Sequence, residues 1–110
     1  LMLWANLGRS LYEIGNTDAA LKAMNRALAL DSDNIAIRNN MAYMELTAGD
    51  TAAAIRRFRS ILNQDSSLVQ VWTNLALTLT NAGKLTEAQS AWNRVLKLDP
   101  DNSTAKKYLR

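Results

Sequence analysis

Three glycines, Gly15, Gly49 and Gly83, stand 34 residues apart. The same step connects Ala20, Ala54 and Ala88, then Asn6, Asn40 and Asn74, then Leu28, Leu62 and Leu96, and then Asp31, Asp65 and Asp99. Residues 1–34 and 69–102 agree without a gap at 14 of 34 positions, where unrelated sequences would share about two on ordinary residue frequencies. The period divides the 110 residues into repeats 1–34, 35–68 and 69–102 and a remainder, 103–110. A repeat this short is one supersecondary unit that cannot bury its apolar face alone, so neighbouring units must stack.

Inside each unit the apolar residues return every three and four positions, the period of a helix. Leu3, Trp4, Leu7, Leu11 and Ile14 form one stripe, and Ala20, Leu21, Met24, Ala27 and Leu28 another. Between them Gly15-Asn16-Thr17-Asp18 offers a glycine to end one helix in the left-handed conformation and polar side chains to cap the next. Gly49-Asp50-Thr51 and Gly83-Lys84-Leu85-Thr86 repeat the turn. The units are separated by Asp31-Ser32-Asp33-Asn34, Gln64-Asp65-Ser66-Ser67 and Asp99-Pro100-Asp101-Asn102, all stop-and-cap sequences. No segment alternates with period two, and seven helices are expected at 2–14, 17–30, 35–48, 51–63, 69–82, 85–98 and 102–109.

This pattern resembles the tetratricopeptide repeat family over the whole chain. Trp4-x2-Leu7-Gly8-x2-Leu11 with Ala20-x3-Met24 and Ala27 carries the resemblance in the first unit. Trp72-x2-Leu75-Ala76-x2-Leu79 with Ala88-x3-Trp92 and Pro100 carries it in the third. The second unit keeps Met41, Ala42, Gly49, Ala54 and Phe58 but has Arg38 in place of the Trp and Glu45 in place of an aromatic or Leu. The resemblance implies one all-α domain over 1–110, a right-handed superhelical stack of three helix-turn-helix repeats. A C-terminal partial or capping helix at 103–110 would cover the end of the third repeat. Small residues at Gly8, Ala42 and Ala76 let paired helices approach, and Met24, Phe58 and Trp92 fill the space between units. Arg38 and Glu45 lie on the packed face, so neither is expected to be left buried without a partner.

The opposite face of each unit's first helix carries Met2, Ala5, Asn6, Arg9, Tyr12 and Glu13, then Ala36, Asn39, Asn40, Tyr43, Leu46 and Thr47, then Gln70, Thr73, Asn74, Leu77, Thr80 and Asn81. In the family resembled, this face lines a concave groove that holds an extended peptide or a partner's helix. The candidate peptide-binding residues are Asn6, Arg9, Tyr12, Asn39, Asn40, Tyr43, Gln70, Asn74 and Leu77. With few charges among them, they suit a largely uncharged segment of a partner protein. The family also contains a clamp of Lys, Arg and Asn that grips the acidic C-terminal tail of chaperones. Its positions fall here on Ala5, Arg9, Asn40, Gln70 and Asn74; Asn40 alone matches, so such a tail is not the expected partner. The Asn at the sixth position of every unit reads either as a ladder of amides for a peptide backbone or as residues solvated and bonded to their own helix.

Composition narrows the function further. Without Cys or His, disulfides, zinc sites built on those ligands, thiol chemistry and imidazole-dependent triads are excluded. Carboxylates pair only in caps such as Asp31 with Asp33 and Asp99 with Asp101, so no enzyme, metal or cofactor is expected. The net charge of +3 resides in Lys106, Lys107 and Arg110, and the body is neutral. Arg56, Arg57 and Arg59 read as a solvated outer face with no aromatic platform beside them, and nucleic acid is not expected as a partner. Trp4, Trp72 and Trp92 read as packing residues.

No apolar run reaches the roughly 18 residues of a membrane span, and no secretory leader is evident. The chain reads as a soluble segment of something longer, since it opens without Met at the start of a repeat. Cytoplasm and bacterial periplasm both fit a chain without Cys. The expected function is a scaffold that recruits a partner's peptide. The alternative is a self-association module that pairs a second copy through the apolar edge at Leu1 and Leu3.

Overall fold

A computed structural model describes residues 2–109. Seven α-helices follow one another: α1 (Met2–Glu13), α2 (Thr17–Leu30), α3 (Ile35–Thr47), α4 (Thr51–Gln64), α5 (Val69–Asn81), α6 (Leu85–Leu98) and α7 (Ser103–Tyr108). No strand occurs among the described residues, and each helix lies within about one residue of its expected span. The chain forms two compact units, one up to Arg57 and the other from Phe58, the boundary falling inside α4.

One hydrogen-bond motif ends α1, α3 and α5. After α1, Gly15 takes φ +87°, its N–H donates to the Tyr12 carbonyl at 3.0 Å, and the N–H of Asn16 donates to that of Leu11 at 2.9 Å. Gly49 with Asp50 and Gly83 with Lys84 repeat both bonds. Each turn thereby satisfies carbonyls that a helix end leaves open. The positive φ explains why the 34-residue step is marked by glycine.

Caps on the following helices divide into two kinds. Asn16, Asn34, Asp50 and Asn102 accept from the backbone N–H three residues on, at 2.9–3.3 Å. Asn34 and Asn102 also donate back to Asp31 and Asp99, which braces the first and third inter-repeat turns in the same way. The two remaining expected caps do not form. Lys84 precedes α6 and Leu68 precedes α5 without a side-chain cap. Instead of capping α5, Asp65 turns on Ser67, accepting from its N–H at 3.0 Å and its hydroxyl at 2.6 Å.

In the unit up to Arg57, α2 packs against both α1 and α3. Its core joins Ala20, Met24 and Ala27 to Ile37, Met41 and Met44. Gly8 is the close approach: a Cβ there would stand 2.9 Å from Met24 Cγ and 3.3 Å from the Ala20 carbonyl oxygen. In the unit from Phe58, α5 packs on α6 and α6 on α7. Phe58, Ile61, Leu75, Leu79, Trp92 and Val95 are buried there, each burial being worth about 2 kcal/mol. Tyr108 of α7 stacks on Trp92, centroids 4.8 Å apart and planes within 5°, so the trailing helix covers that part of α6.

Part of the expected packed face is exposed. Leu3 and Ile14 are 78% and 77% accessible, and Leu7 is also exposed. Ile37 and Met41, the repeat equivalents of Leu3 and Leu7, are buried against α2, whereas no described helix flanks α1 on that side. Ile14 lies past the end of its helix, as do its exposed equivalents Ala48 and Ala82. Leu1 lies outside the described residues.

Candidate functional site

The residues opposite the packed stripes lie on α1 and α3 in the first unit and on α5 in the second. On α1, Asn6 and Arg9 are exposed, and Arg9 Nη2 donates to Asn6 Oδ1, a bond between neighbours one helical turn apart. Tyr12 is half-buried; its ring rests on the Met24 and Met41 cluster, and its hydroxyl shares a hydrogen bond with Thr47 Oγ1 on α3. Two side chains from one sequence-derived face, on consecutive repeats, are therefore joined. Thr47 in turn donates to the Tyr43 carbonyl at 3.1 Å.

On α3, Asn39 and Asn40 are half-buried and Tyr43 is exposed. Asn39 Oδ1 is enclosed and has no hydrogen-bond partner. On α5, Gln70 is exposed, Leu77 is half-buried and Asn74 is buried, only 7% accessible. Gln70 Nε2 donates to Asn74 Oδ1 at 3.2 Å, which leaves Asn74 Nδ2 enclosed and unpartnered. Asn6 and Asn74 thus share a state: each carbonyl is taken by a side chain of its own helix, and each NH2 is the group left to donate. An unmet buried polar atom costs about 1–3 kcal/mol, so Asn39 and Asn74 hold hydrogen-bonding capacity that their surroundings do not use.

The arginines of α4 depart from a uniform solvated face. Arg57 is half-buried; its Nε donates to Glu45 Oε1 at 2.7 Å and its Nη2 to Oε2 at 3.3 Å. Glu45 is thereby partnered and Arg38 is not fully enclosed, as their place on the packed face required. Arg56 and Arg59 are exposed, but Arg59 does have an aromatic neighbour.

A cleft of about 440 Å³ in the second unit is lined by Arg59, Asn63, Ser66, Trp72, Leu75 and Arg94. Trp72 is half-buried; its indole N–H donates to the Ser66 carbonyl at 2.8 Å, and the Arg94 guanidinium lies 5.6 Å from its ring centroid. Arg26 lies over Trp4 at the same 5.6 Å, two repeats earlier. Two of the three tryptophans are therefore partly exposed platforms, and Trp92 alone is fully packed. The signal was present in the sequence, since Trp and Arg stand 22 residues apart in the first and third repeats.

Among the described residues, no helix is long and apolar enough to cross a membrane. The fold is shared with the first TPR of Spaghetti (RPAP3), solved with the HSP90 peptide SRMEEVD: TM-score 0.81 and 22% identity over 99% of this chain and 89% of that one. The second TPR domain of human RPAP3, solved with the HSP70 peptide SGPTIEEVD, superposes with TM-score 0.80 and 24% identity over 98% and 93%. MamA superposes with TM-score 0.83 and 16% identity over 96% of this chain, which spans 62% of MamA. No curated protein matches in sequence. The family model of the cytochrome c-type biogenesis protein H TPR domain matches residues 1–106, and together with the 34-residue signature and the glycine-ended helix pairs it means that this chain belongs to that tetratricopeptide repeat family.

Proposed function

We propose that the chain is a protein-interaction module that binds an extended, mostly uncharged peptide segment of a partner through the amide face of α1, α3 and α5. The observation that carries this reading is the unused hydrogen-bonding capacity on that face. The NH2 of the exposed Asn6 is left to donate, its carbonyl being engaged by Arg9, whereas Asn39 Oδ1 and Asn74 Nδ2, also without partners, are enclosed and reach a peptide only when their side chains turn outward. A peptide backbone supplies both carbonyls and N–H groups, and each bond adds about 0.5–1.5 kcal/mol without demanding a particular side chain. Arg9, Asn40, Tyr12, Tyr43, Gln70 and Leu77 complete the surface and confer selectivity. Chaperone peptides like those held by the RPAP3 domains are not the ligand proposed, because of the clamp positions Asn40 alone has the required residue type.

The test is a displayed library of random peptides selected on the purified chain, followed by calorimetry of the winners. Replacing Asn6, Asn40 and Asn74 together by Ala is expected to preserve helicity while weakening a selected peptide at least about tenfold. Binding that survives the triple replacement removes the groove's claim. Self-association is the second reading, favoured by the exposed Leu3, Ile14 and Leu30 of the first unit. A mass that rises with concentration in light scattering, and falls back in Leu3→Ser, would support it instead.

A further inference from the structure

The cleft between Arg59 and Arg94 lies away from the amide face. On α5, at 100° per residue, Trp72, Leu75 and Leu79 fall opposite Gln70, Asn74 and Leu77. Its walls combine two guanidinium groups, an indole face, the amide of Asn63 and the Ser66 loop around about 440 Å³, the lower range of volumes that hold small ligands or a few peptide residues.

From this arrangement we infer that the cleft is a second binding site, for a short acidic peptide segment whose carboxylates bind Arg59 and Arg94 and whose apolar side chain lies on Trp72. Three observations favour a carboxylate. Arg59 already holds one, Glu87, at 3.4 Å, in a pair whose side chains are 49% and 51% accessible. Such an exposed pair is weak and easily exchanged, so Glu87 acts as an internal stand-in that an incoming carboxylate displaces. Arg94 lies over the Trp72 ring, and the Trp72 indole is fixed by its hydrogen bond to the Ser66 carbonyl, so the aromatic wall of the cleft is ordered before binding. The platform beside the charges is aromatic, which suits an apolar residue next to the acid rather than a bare inorganic anion.

The internal competitor makes the sign of one variant diagnostic. Glu87→Gln frees Arg59 and removes a like charge, so it strengthens binding, whereas a merely structural Arg59–Glu87 pair would leave binding unchanged. The experiment is an NMR titration of the 15N-labelled chain, following the Trp72 indole N–H, assigned with Trp72→Phe. The probes are the blocked peptide acetyl-AELEA-amide, its analogue acetyl-AQLQA-amide and inorganic phosphate. The Glu peptide is expected to shift the Trp72 signal saturably at up to about 10 mM, and the other two are not. Arg59→Gln and Arg94→Gln should each weaken binding about fivefold or more, and Glu87→Gln should tighten it about twofold. Arg59 is half exposed, so its arm stays readable even if Arg94→Gln loosens the Trp72 contact, and Arg94→Lys tests charge separately from stacking. A Trp72 signal that ignores the Glu peptide, an equal response to the Gln analogue, saturation by phosphate at the same concentration, or unchanged binding in Glu87→Gln would each overturn the inference.

Discussion

Arg57 of α4 holds Glu45 of α3 with two hydrogen bonds, at 2.7 and 3.3 Å, and the two side chains are 24% and 12% accessible. The same two repeat positions hold Leu11 and Ala23 in the first repeat and Leu79 and Ala91 in the third. The second repeat thus has an ion pair at two positions where both flanking repeats have apolar residues. Both members changed, and with one changed alone a charge would face an apolar surface.

Single and paired replacements should therefore differ in sign. Glu45→Leu or Arg57→Ala alone strands the other charge in a largely enclosed place and should cost about 1–3 kcal/mol. The double variant restores the residues of the flanking repeats and should be neutral or stabilising. Urea unfolding of the four proteins, read as a double-mutant cycle, measures the coupling directly.

Gly8 should resist replacement for a steric reason rather than a backbone one. Its helical position would gain about 0.8–1 kcal/mol of helix propensity in Gly8→Ala. The added methyl would stand 2.9 Å from Met24 Cγ and 3.1 Å from its sulfur, and Met24 is fully buried. Overpacking costs about 1–3 kcal/mol, so a net loss is expected in thermal unfolding. Gly8→Ala combined with Met24→Ala should remove the clash and show less than the sum of the two single losses.

Asp65 should titrate below the ordinary carboxylate value. The Ser67 hydroxyl and then the Ser67 backbone N–H donate to its carboxylate and lower its pKa from 3.8, against a small opposing desolvation. The folded pKa is depressed, so whatever stability the turn draws from this charge is present above the unfolded pKa and is lost as pH falls through the folded one. A carboxyl-detected NMR titration should place the Asp65 midpoint below that of the unfolded chain, and Ser67→Ala, which removes the hydroxyl but leaves the backbone N–H, should bring it part of the way back. A midpoint unchanged by Ser67→Ala would mean that the turn does not hold the charge.

Residue spacing alone determined the family, the seven helices and their ends. Helix periodicity, glycine-ended turns and Asn or Asp caps act over about four residues, so Gly15, Asn16, Asn34 and Asn102 carry their instructions locally. The expected caps at α5 and α6 failed where Leu68 and Lys84 occupy the cap position, and packing of buried residues such as Val71, Leu75 and Trp92 sufficed in their place. What the amide face and the cleft present was decided by tertiary structure. The sixth-position Asn repeats evenly in the sequence, yet Asn6 is exposed and Asn74 enclosed, because burial depends on which helices flank α1 and α5. Arg59, Trp72 and Arg94 come from three different helices, and the role of each depends on how those helices are rotated against one another. That rotation is set by the interlocking of side chains across the helix contacts, which no local spacing encodes.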